Sequence, residues 1–218
     1  MSLLIFVLKF NHKLLIMKVI ITGDIINSRK LPAQIWMDAL KKTFQKFGKN
    51  PNNWEIYRGD EFQLEIKNPE EALSSALLIK VFLKSIQLDA RMSLGFGDKN
   101  YEAGKITESN GDAFIRSGEL FETLKKQKVN LAINSGNAEF DEELNLMLRL
   151  SLSFMDNWLQ QSAEFILAAM QNPTLSQEEI GVKLGISQAA VSRRQKRSHY
   201  DLVKDLDAYY RKQIRKML

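Results

Sequence analysis

The sequence predicts an α+β fold followed by an all-helical segment. Over the first two thirds of the chain, candidate strands and helices follow one another as βα, ββ, α, β, loop, α, β, which mixes a hairpin with helices. After Asp141 no further strand signal occurs. The 218 residues, of which 44% are hydrophobic and 26% charged, have a globular composition and suffice for one large domain or two small ones.

Turn residues and hydrophobic periodicity define the elements of the first part. A strand is predicted at residues 18–22 and a helix at 33–47, with Pro32 in its first turn and Gly48 just past its end. The remaining elements are, in order, strands at 54–57 and 62–66 around a tight turn, a helix at 69–86, a strand at 89–95, a helix at 112–126 and a strand at 129–133. This order is the ferredoxin-like βαββαβ pattern with additions.

The rest of the chain is predicted to be helical. Helices are expected at 142–160 and 162–171, before Pro173, and then at 177–184, 187–196 and 200–218. We therefore divide the chain into an α+β domain at 17–140, a helical connector at 141–157 and a helical domain at 158–218. A connector that is itself helical predicts rigid coupling between the two domains.

Residues 1–16 are interpreted as a leader. The stretch is too short and too polar to span a bilayer, and no small-residue cleavage site follows it. It is either upstream sequence read from a wrongly assigned start codon, a genuine extra edge strand, or a short membrane-surface anchor. The chain has no cysteine and two histidines, which excludes disulfides, thiolate zinc sites and histidine-rich metal sites. We expect a cytoplasmic protein.

Positive charge is concentrated near the C-terminal end. The net charge is +5, yet residues 17–150 hold 19 basic and 19 acidic side chains and are neutral. Residues 181–200 contain five lysines and arginines and no acid. A neutral body with one basic patch predicts a polyanionic partner for that patch alone.

The segment around the basic patch has the pattern of a helix-turn-helix. Ser176 and Glu179 form a capping box, Gly185 suits a left-handed turn, and Ser187 caps the second helix. This resembles the DNA-binding motif of bacterial regulators, in which the second helix enters the major groove of double-stranded DNA. The residues expected to contact DNA lie on one face of that helix or at its start: Ser187, Gln188, Ser192, Arg193, Arg194, Lys196 and Arg197.

Two types of DNA contact are expected from these side chains. Gln188 and Arg193 have the donors to read base edges, whereas Arg194 and Arg197 are expected to contact phosphates. The alternative is a three-helix bundle whose basic face is solvated or contacts a protein.

Two aspartates stand where strands end. Asp24 follows the first strand and Asp60 lies in the hairpin turn, and a βαββαβ sheet brings these positions to one edge. Two carboxylates suit Mg²⁺ or Mn²⁺ bound together with substrate phosphates, and Arg29 and Arg58 can supply charge to a phosphate. The alternative is that both aspartates only form turns, and both arginines are solvated.

Short motifs in this part also resemble known families. Gly23-Asp24-Ile25, Gly59-Asp60-Glu61-Phe62 and Gly111-Asp112-Ala113-Phe114 look like the palm domain of class III nucleotidyl cyclases and, in the hairpin, like that of diguanylate cyclases. A closer resemblance, over most of residues 17–130, is to the SatD family of bacterial proteins, through Asn27-Ser28-Arg29 after the first strand, Gln63 after the hairpin, and Ser109-Asn110 before the helix at 112–126.

The resemblance implies that Asp24 and Asp60 are the metal aspartates. It also places Ile56, Ile115 and Glu119 where a cyclase has its purine lysine, transition-state asparagine and arginine. Glu119 would oppose an anionic transition state. A metal or nucleotide site without cyclase activity is therefore expected.

These observations predict a homodimeric bacterial transcriptional regulator that binds DNA and senses a nucleotide or metal through its palm. The alternatives are a magnesium-dependent nucleotide-processing enzyme and a SatD-like adaptor that binds protein.

Overall fold

The computed structural model describes residues 17–217. The leader predicted at residues 1–16 lies outside this range. The described part contains five strands, which are β1 (Lys18–Ile26), β2 (Trp54–Tyr57), β3 (Glu61–Ile66), β4 (Asp89–Gly97) and β5 (Leu131–Asn134). Its α-helices are α1 (Ala33–Phe44), α2 (Ala72–Ser85), α3 (Asp112–Gln127), α4 (Ala138–Met155), α5 (Gln160–Gln171), α6 (Gln177–Leu184), α7 (Gln188–Ser198) and α8 (Tyr200–Met217).

The five strands form one sheet in the order β2-β3-β1-β4-β5. The first four are antiparallel to their neighbours, and β5 runs parallel to β4. In β1, Asp24 lies opposite Glu61 of β3 and opposite Arg91 of β4. The mixed α+β class predicted from the sequence is confirmed.

The side chains of β1 pack alternately on the two sides of the sheet, because successive residues of a strand point to opposite faces. Ile20 belongs to a small apolar cluster with Ala113 and Phe114 of α3. Val19 and Ile21 face the main core, to which α1 and α2 contribute. On the α3 side the helix comes close to the sheet at Gly95, where a Cβ would lie 2.3 Å from the backbone of α3.

The helices after β5 pack onto the α+β part. Helix α5 packs on α2, and α8 packs on α4 and on the turn that precedes α2. The buried Tyr210 of α8 donates from its hydroxyl to the carbonyl of Pro69 at 2.5 Å. One main core cluster contains residues from Val19 to Ile214, so the helical part shares its core with the sheet.

The bounds of one predicted helix are wrong. Residues 142–160 were expected to be continuous, but α4 ends at Met155 and α5 begins at Gln160. Between them Asp156 accepts from Lys80 of α2 at 2.6 Å and from Asn130 at 3.0 Å. The indole of Trp158 donates to the carbonyl of Ser198 at 2.8 Å. These contacts turn the chain sharply at residues 156–159, which we call the corner.

Among the helices within residues 17–217, none combines the length and the apolar character needed to cross a membrane.

Candidate functional site

Asp24 and Asp60 are brought to the lining of one cleft of about 490 Å³. The backbone N–H of Ile25 donates to the carbonyl of Asp60 at 3.1 Å, which fixes the hairpin turn against the end of β1. Ser28, in the turn that follows β1, donates its hydroxyl to Asp60 Oδ2 at 2.5 Å. Two chain segments that are remote in sequence therefore present their carboxylates to the same space. We call it the aspartate cleft.

The carboxylate of Asp24 is only partly neutralised. Its Oδ2 lies 3.3 Å from Arg91 of β4, and its Oδ1 is buried without a hydrogen-bond partner among the described residues. Burial raises the pKa of Asp24, and the opposing charge of Arg91 and Lys125 only partly offsets this, while Asp60 and Glu61 raise it further. A buried carboxylate oxygen without a donor is costly, and a bound cation would remove that cost.

Basic side chains surround the two carboxylates. Arg29, Lys30 and Arg91 line the aspartate cleft, giving three cations against two carboxylates. Arg29 also lines the adjoining cleft of about 310 Å³ together with Arg58. Arg58 is 80% exposed and lies 3.6 Å from Glu61, so it stands at the rim. A surplus of positive charge around two acids is suited to an anion that arrives with its own metal ion.

The donor set fits a metal–phosphate complex better than a resident metal. Within residues 17–217 no group of three or more acidic or histidine side chains is placed to hold an ion. Mg²⁺ commonly takes one or two carboxylates together with substrate phosphates and water. Asp24 and Asp60, which both line the cleft, can supply that number of carboxylates.

The cyclase resemblance assigns its purine and transition-state contacts to the positions of Ile56, Ile115 and Glu119. Ile56 is half-buried, and Ile115 and Glu119 lie on the exposed face of α3. Arg116 is held within the fold, donating to the carbonyls of Phe96 and Ser135. The cationic groups that line the cleft are Arg29, Lys30 and Arg91, and none of them stands at a position that the cyclase resemblance assigns to the transition state.

Helices α6 and α7 have the local features expected from their sequence. Ser176 and Glu179 form both hydrogen bonds of a capping box at the start of α6. Gly185 ends the helix in the left-handed conformation at φ 66°, and Ser187 caps α7 by accepting from the N–H of Ala190. At Gly181 a Cβ would lie 2.8 Å from the carbonyl of Ile186, so glycine allows the close crossing of the two helices.

Most of the predicted DNA-contacting residues share an exposed surface. Those that are exposed are Ser187, Gln188, Ser192, Arg193, Lys196 and Arg197. We call this set the α7 face. Its positive charge is uncompensated locally, because residues 181–200 contain no acid.

Arg194 departs from this arrangement. Its guanidinium donates to the carbonyl of Gln161 at 3.2 Å and lies 3.3 Å from the carboxylate of Glu164 on α5. Its side chain is 17% exposed. Arg194 therefore holds α7 against α5, and we remove it from the predicted DNA contacts.

Several residues of the cleft could not be predicted from the sequence. Ser28 orients Asp60. Lys125 of α3 donates to the carboxylate of Glu61 at 3.2 Å, and Glu61 lies directly opposite Asp24 in the sheet. Ser28 is part of the SatD-like motif after β1, which was the one signal available for it. Lys125 lies in a run of helix-surface charges that carries no such signal.

In comparisons with protein-family models and with curated protein sequences, nothing matched the chain.

Proposed function

We propose that this chain is a cytoplasmic bacterial DNA-binding transcriptional regulator, in which α6 and α7 form a helix-turn-helix and the α+β part binds a metal–phosphate ligand. The observation that carries the proposal is the α7 face, a set of six exposed polar and basic side chains on α7 and at its N-cap. The two helices α6 and α7 are each capped at their start and are joined by a turn at Gly185. A recognition helix presents its N-terminal side chains to base edges in the same way.

The α7 face divides by position along the helix. We assign contacts with base edges to Gln188, Ser192 and Arg193, and contacts with phosphates to Lys196 and Arg197 nearer the end of the helix. Gln188 donates to Gln177 of α6 at 2.6 Å, which orients its amide. Phosphate contacts give affinity without sequence information, while base contacts give specificity.

The α+β part supports a palm of the ferredoxin-like, cyclase-like kind. The strand order β2-β3-β1-β4 supports this assignment, because a βαββαβ fold has its strands in that order. With Asp24, Asp60 and three basic side chains at one edge, we assign it the binding of Mg²⁺ or Mn²⁺ with the phosphates of a nucleotide. We propose that this part serves as a sensor, because Ile56, Ile115 and Glu119 occupy the positions that the resemblance assigns to cyclase contacts.

We further propose a homodimer, because one helix-turn-helix makes few base contacts and two copies can read half-sites about one helical turn apart. Leu146 and Leu150 on α4 are 51% and 65% exposed and lie one helical turn apart. We call these two leucines the α4 stripe and propose that they contact a second copy of the chain.

The test is fluorescence anisotropy with labelled genomic fragments across a salt series. Arg193→Ala is expected to lower affinity for the preferred fragment by about 1–3 kcal/mol and to relax specificity, whereas Arg197→Ala should weaken binding to all fragments and reduce the salt slope by about one. Lys126→Ala, which removes an exposed charge from α3, is the matched control and should change neither quantity. Absence of binding at low salt, or equal effects of all three variants, would refute DNA binding by the α7 face.

A further inference from the structure

A second cleft, of about 620 Å³, lies between the α+β part and the corner. The C-terminal end of α2, the starts of β4 and β5, and residues 156–161 form its walls. We call it the boundary cleft. Its volume is in the usual range for small-molecule sites.

The boundary cleft adjoins the aspartate cleft. Ile26 and Asn27, at the end of β1, line both. Asn27 has the left-handed conformation, with φ 63°, so the backbone turns at the point where the two spaces meet. A ligand longer than a phosphate group that occupied both clefts would pass Asn27.

The chemistry of the two clefts differs. In the boundary cleft the charges are already paired: Lys84 lies 2.9 Å from Asp89, and Asp156 lies 2.6 Å from the buried Lys80. What remains is a set of amide side chains, Gln87, Asn130, Gln160 and Gln161, beside apolar walls that include Trp158 and Leu159. Amides read the donor and acceptor edges of a planar heterocycle, and apolar walls hold its faces.

We propose that the boundary cleft binds the nucleobase of a nucleotide whose phosphates and metal occupy the aspartate cleft. This rests on the proposed function, because it takes the metal–phosphate site as given. Charged groups at one end and uncharged amides at the other match a nucleotide, and do not match inorganic phosphate or a uniformly charged ligand. The site combines residues of the α+β part with residues of the corner.

Occupation of this cleft is transmitted to the α7 face through two residues of its wall. Trp158 donates to the carbonyl of Ser198 at the end of α7, and the carbonyl of Gln161 accepts from Arg194 in the middle of α7. The amide of Gln87 also donates across the cleft to Gln160 at 2.7 Å. A base that enters between them has to displace or share this bond, and so acts on the segment that holds α7.

The binding experiment compares ATP, GTP and inorganic tripolyphosphate, each with Mg²⁺, by isothermal titration calorimetry on the full chain. We expect one of the nucleotides to bind about 10- to 100-fold more tightly than tripolyphosphate, as stacking and edge contacts of one base provide. Leu159→Trp fills the boundary cleft and should reduce nucleotide affinity to that of tripolyphosphate. Leu202→Trp, at a leucine of similar exposure on α8, is the control and should bind as the unmodified chain.

The outcomes separate the two proposals. Asp60→Asn should weaken all three ligands, and if no ligand binds the unmodified chain, both the metal–phosphate site and the nucleobase site are refuted. If tripolyphosphate binds but neither nucleotide binds more tightly, or if Leu159→Trp leaves nucleotide affinity unchanged, the nucleobase site alone is refuted.

Transmission to α7 has its own test. The preferred nucleotide with Mg²⁺ should change the affinity for a duplex selected from genomic fragments by about 5- to 150-fold, the usual range of coupling between sites. The change should be lost in Leu159→Trp and kept in Leu202→Trp. An affinity for DNA that is the same with and without nucleotide would refute the transmission.

Discussion

Lys80 is the residue whose replacement tests most directly how the two parts of the chain are joined. Its ammonium group, on α2, is completely buried and lies 2.8 Å from Asp89 of β4 and 2.6 Å from Asp156 of the corner. Lys84 bonds to Asp89 as well, so two lysines and two aspartates form a neutral cluster. Lys80→Met keeps the shape of the side chain and removes the charge between the carboxylates.

The expected loss can be estimated from the remaining partners. Removing one member of a buried ion pair costs about 3–5 kcal/mol, because the other charge stays buried. Asp89 keeps Lys84 and the backbone N–H of Ala90. Asp156 keeps Asn130 and is 33% exposed. We therefore expect a loss of about 3 kcal/mol, or a fall in Tm of roughly 6–12 °C for a chain of this length.

The assay is thermal and urea unfolding, followed by circular dichroism and tryptophan fluorescence. Both signals should change together, because the helical part shares its core with the sheet. Adding Asp89→Asn restores neutrality and should recover part of the loss, whereas Lys126→Met on the surface should stay within about 0.5 kcal/mol of the unmodified chain. A Tm of Lys80→Met equal to that of Lys126→Met, or a double variant less stable than Lys80→Met alone, would refute the cluster.

Three further predictions concern catalysis, the aspartate cleft and assembly. The purified protein should form no cyclic nucleotide from ATP or GTP with Mg²⁺ or Mn²⁺, and a product that disappears in Asp60→Ala would contradict this. The reason is that Ile56, Ile115 and Glu119 occupy the positions where a cyclase has its purine and transition-state contacts. Asp24→Asn should raise Tm at neutral pH without metal and abolish binding of Mg²⁺–tripolyphosphate. Because burial raises the pKa of Asp24, the stability that its neutral form contributes is present at low pH and lost as the pH rises through that pKa. The gain in Tm should therefore shrink on acidification, and a constant gain would show that ionisation is not its cause. By light scattering the chain should have twice its monomer mass. Leu150→Glu should be monomeric and Leu202→Glu dimeric. Equal masses for the two variants would exclude the α4 stripe as the dimer contact.

The sequence was most informative where a feature depends on neighbouring residues. The capping box at Ser176 and the left-handed Gly185 follow from a few positions each, and both occur as predicted. The strands followed from alternation and turn residues, with β1 and β4 extending further than expected. The nearness of Asp24 and Asp60 could be predicted because the order of elements restricts how a sheet can be assembled.

Features that depend on distant partners could not be predicted. A lysine within a helix is normally exposed, and only Asp89 and Asp156 explain the burial of Lys80. Likewise, no glycine or proline marks the end of α4 at Met155. The helix ends where Asp156 and Trp158 bond to other parts of the chain, and periodicity within one segment contains no information about these bonds.

Under the proposed function, the corner lets a sensor in the α+β part and a DNA-reading pair formed by α6 and α7 act on each other without a long relay. Domains on a flexible linker affect each other mainly through local concentration, whereas packed domains can exchange conformational free energy. Here Asp156 bonds to the α+β part, while Trp158 and Gln161 bond to α7, within six residues of one another. A ligand that binds one position of the corner more tightly than another can shift the equilibrium between the corresponding positions of α7 by at most that difference in binding free energy. The coupling is therefore expected to depend on residues 156–161 more than on the length or composition of the chain around them.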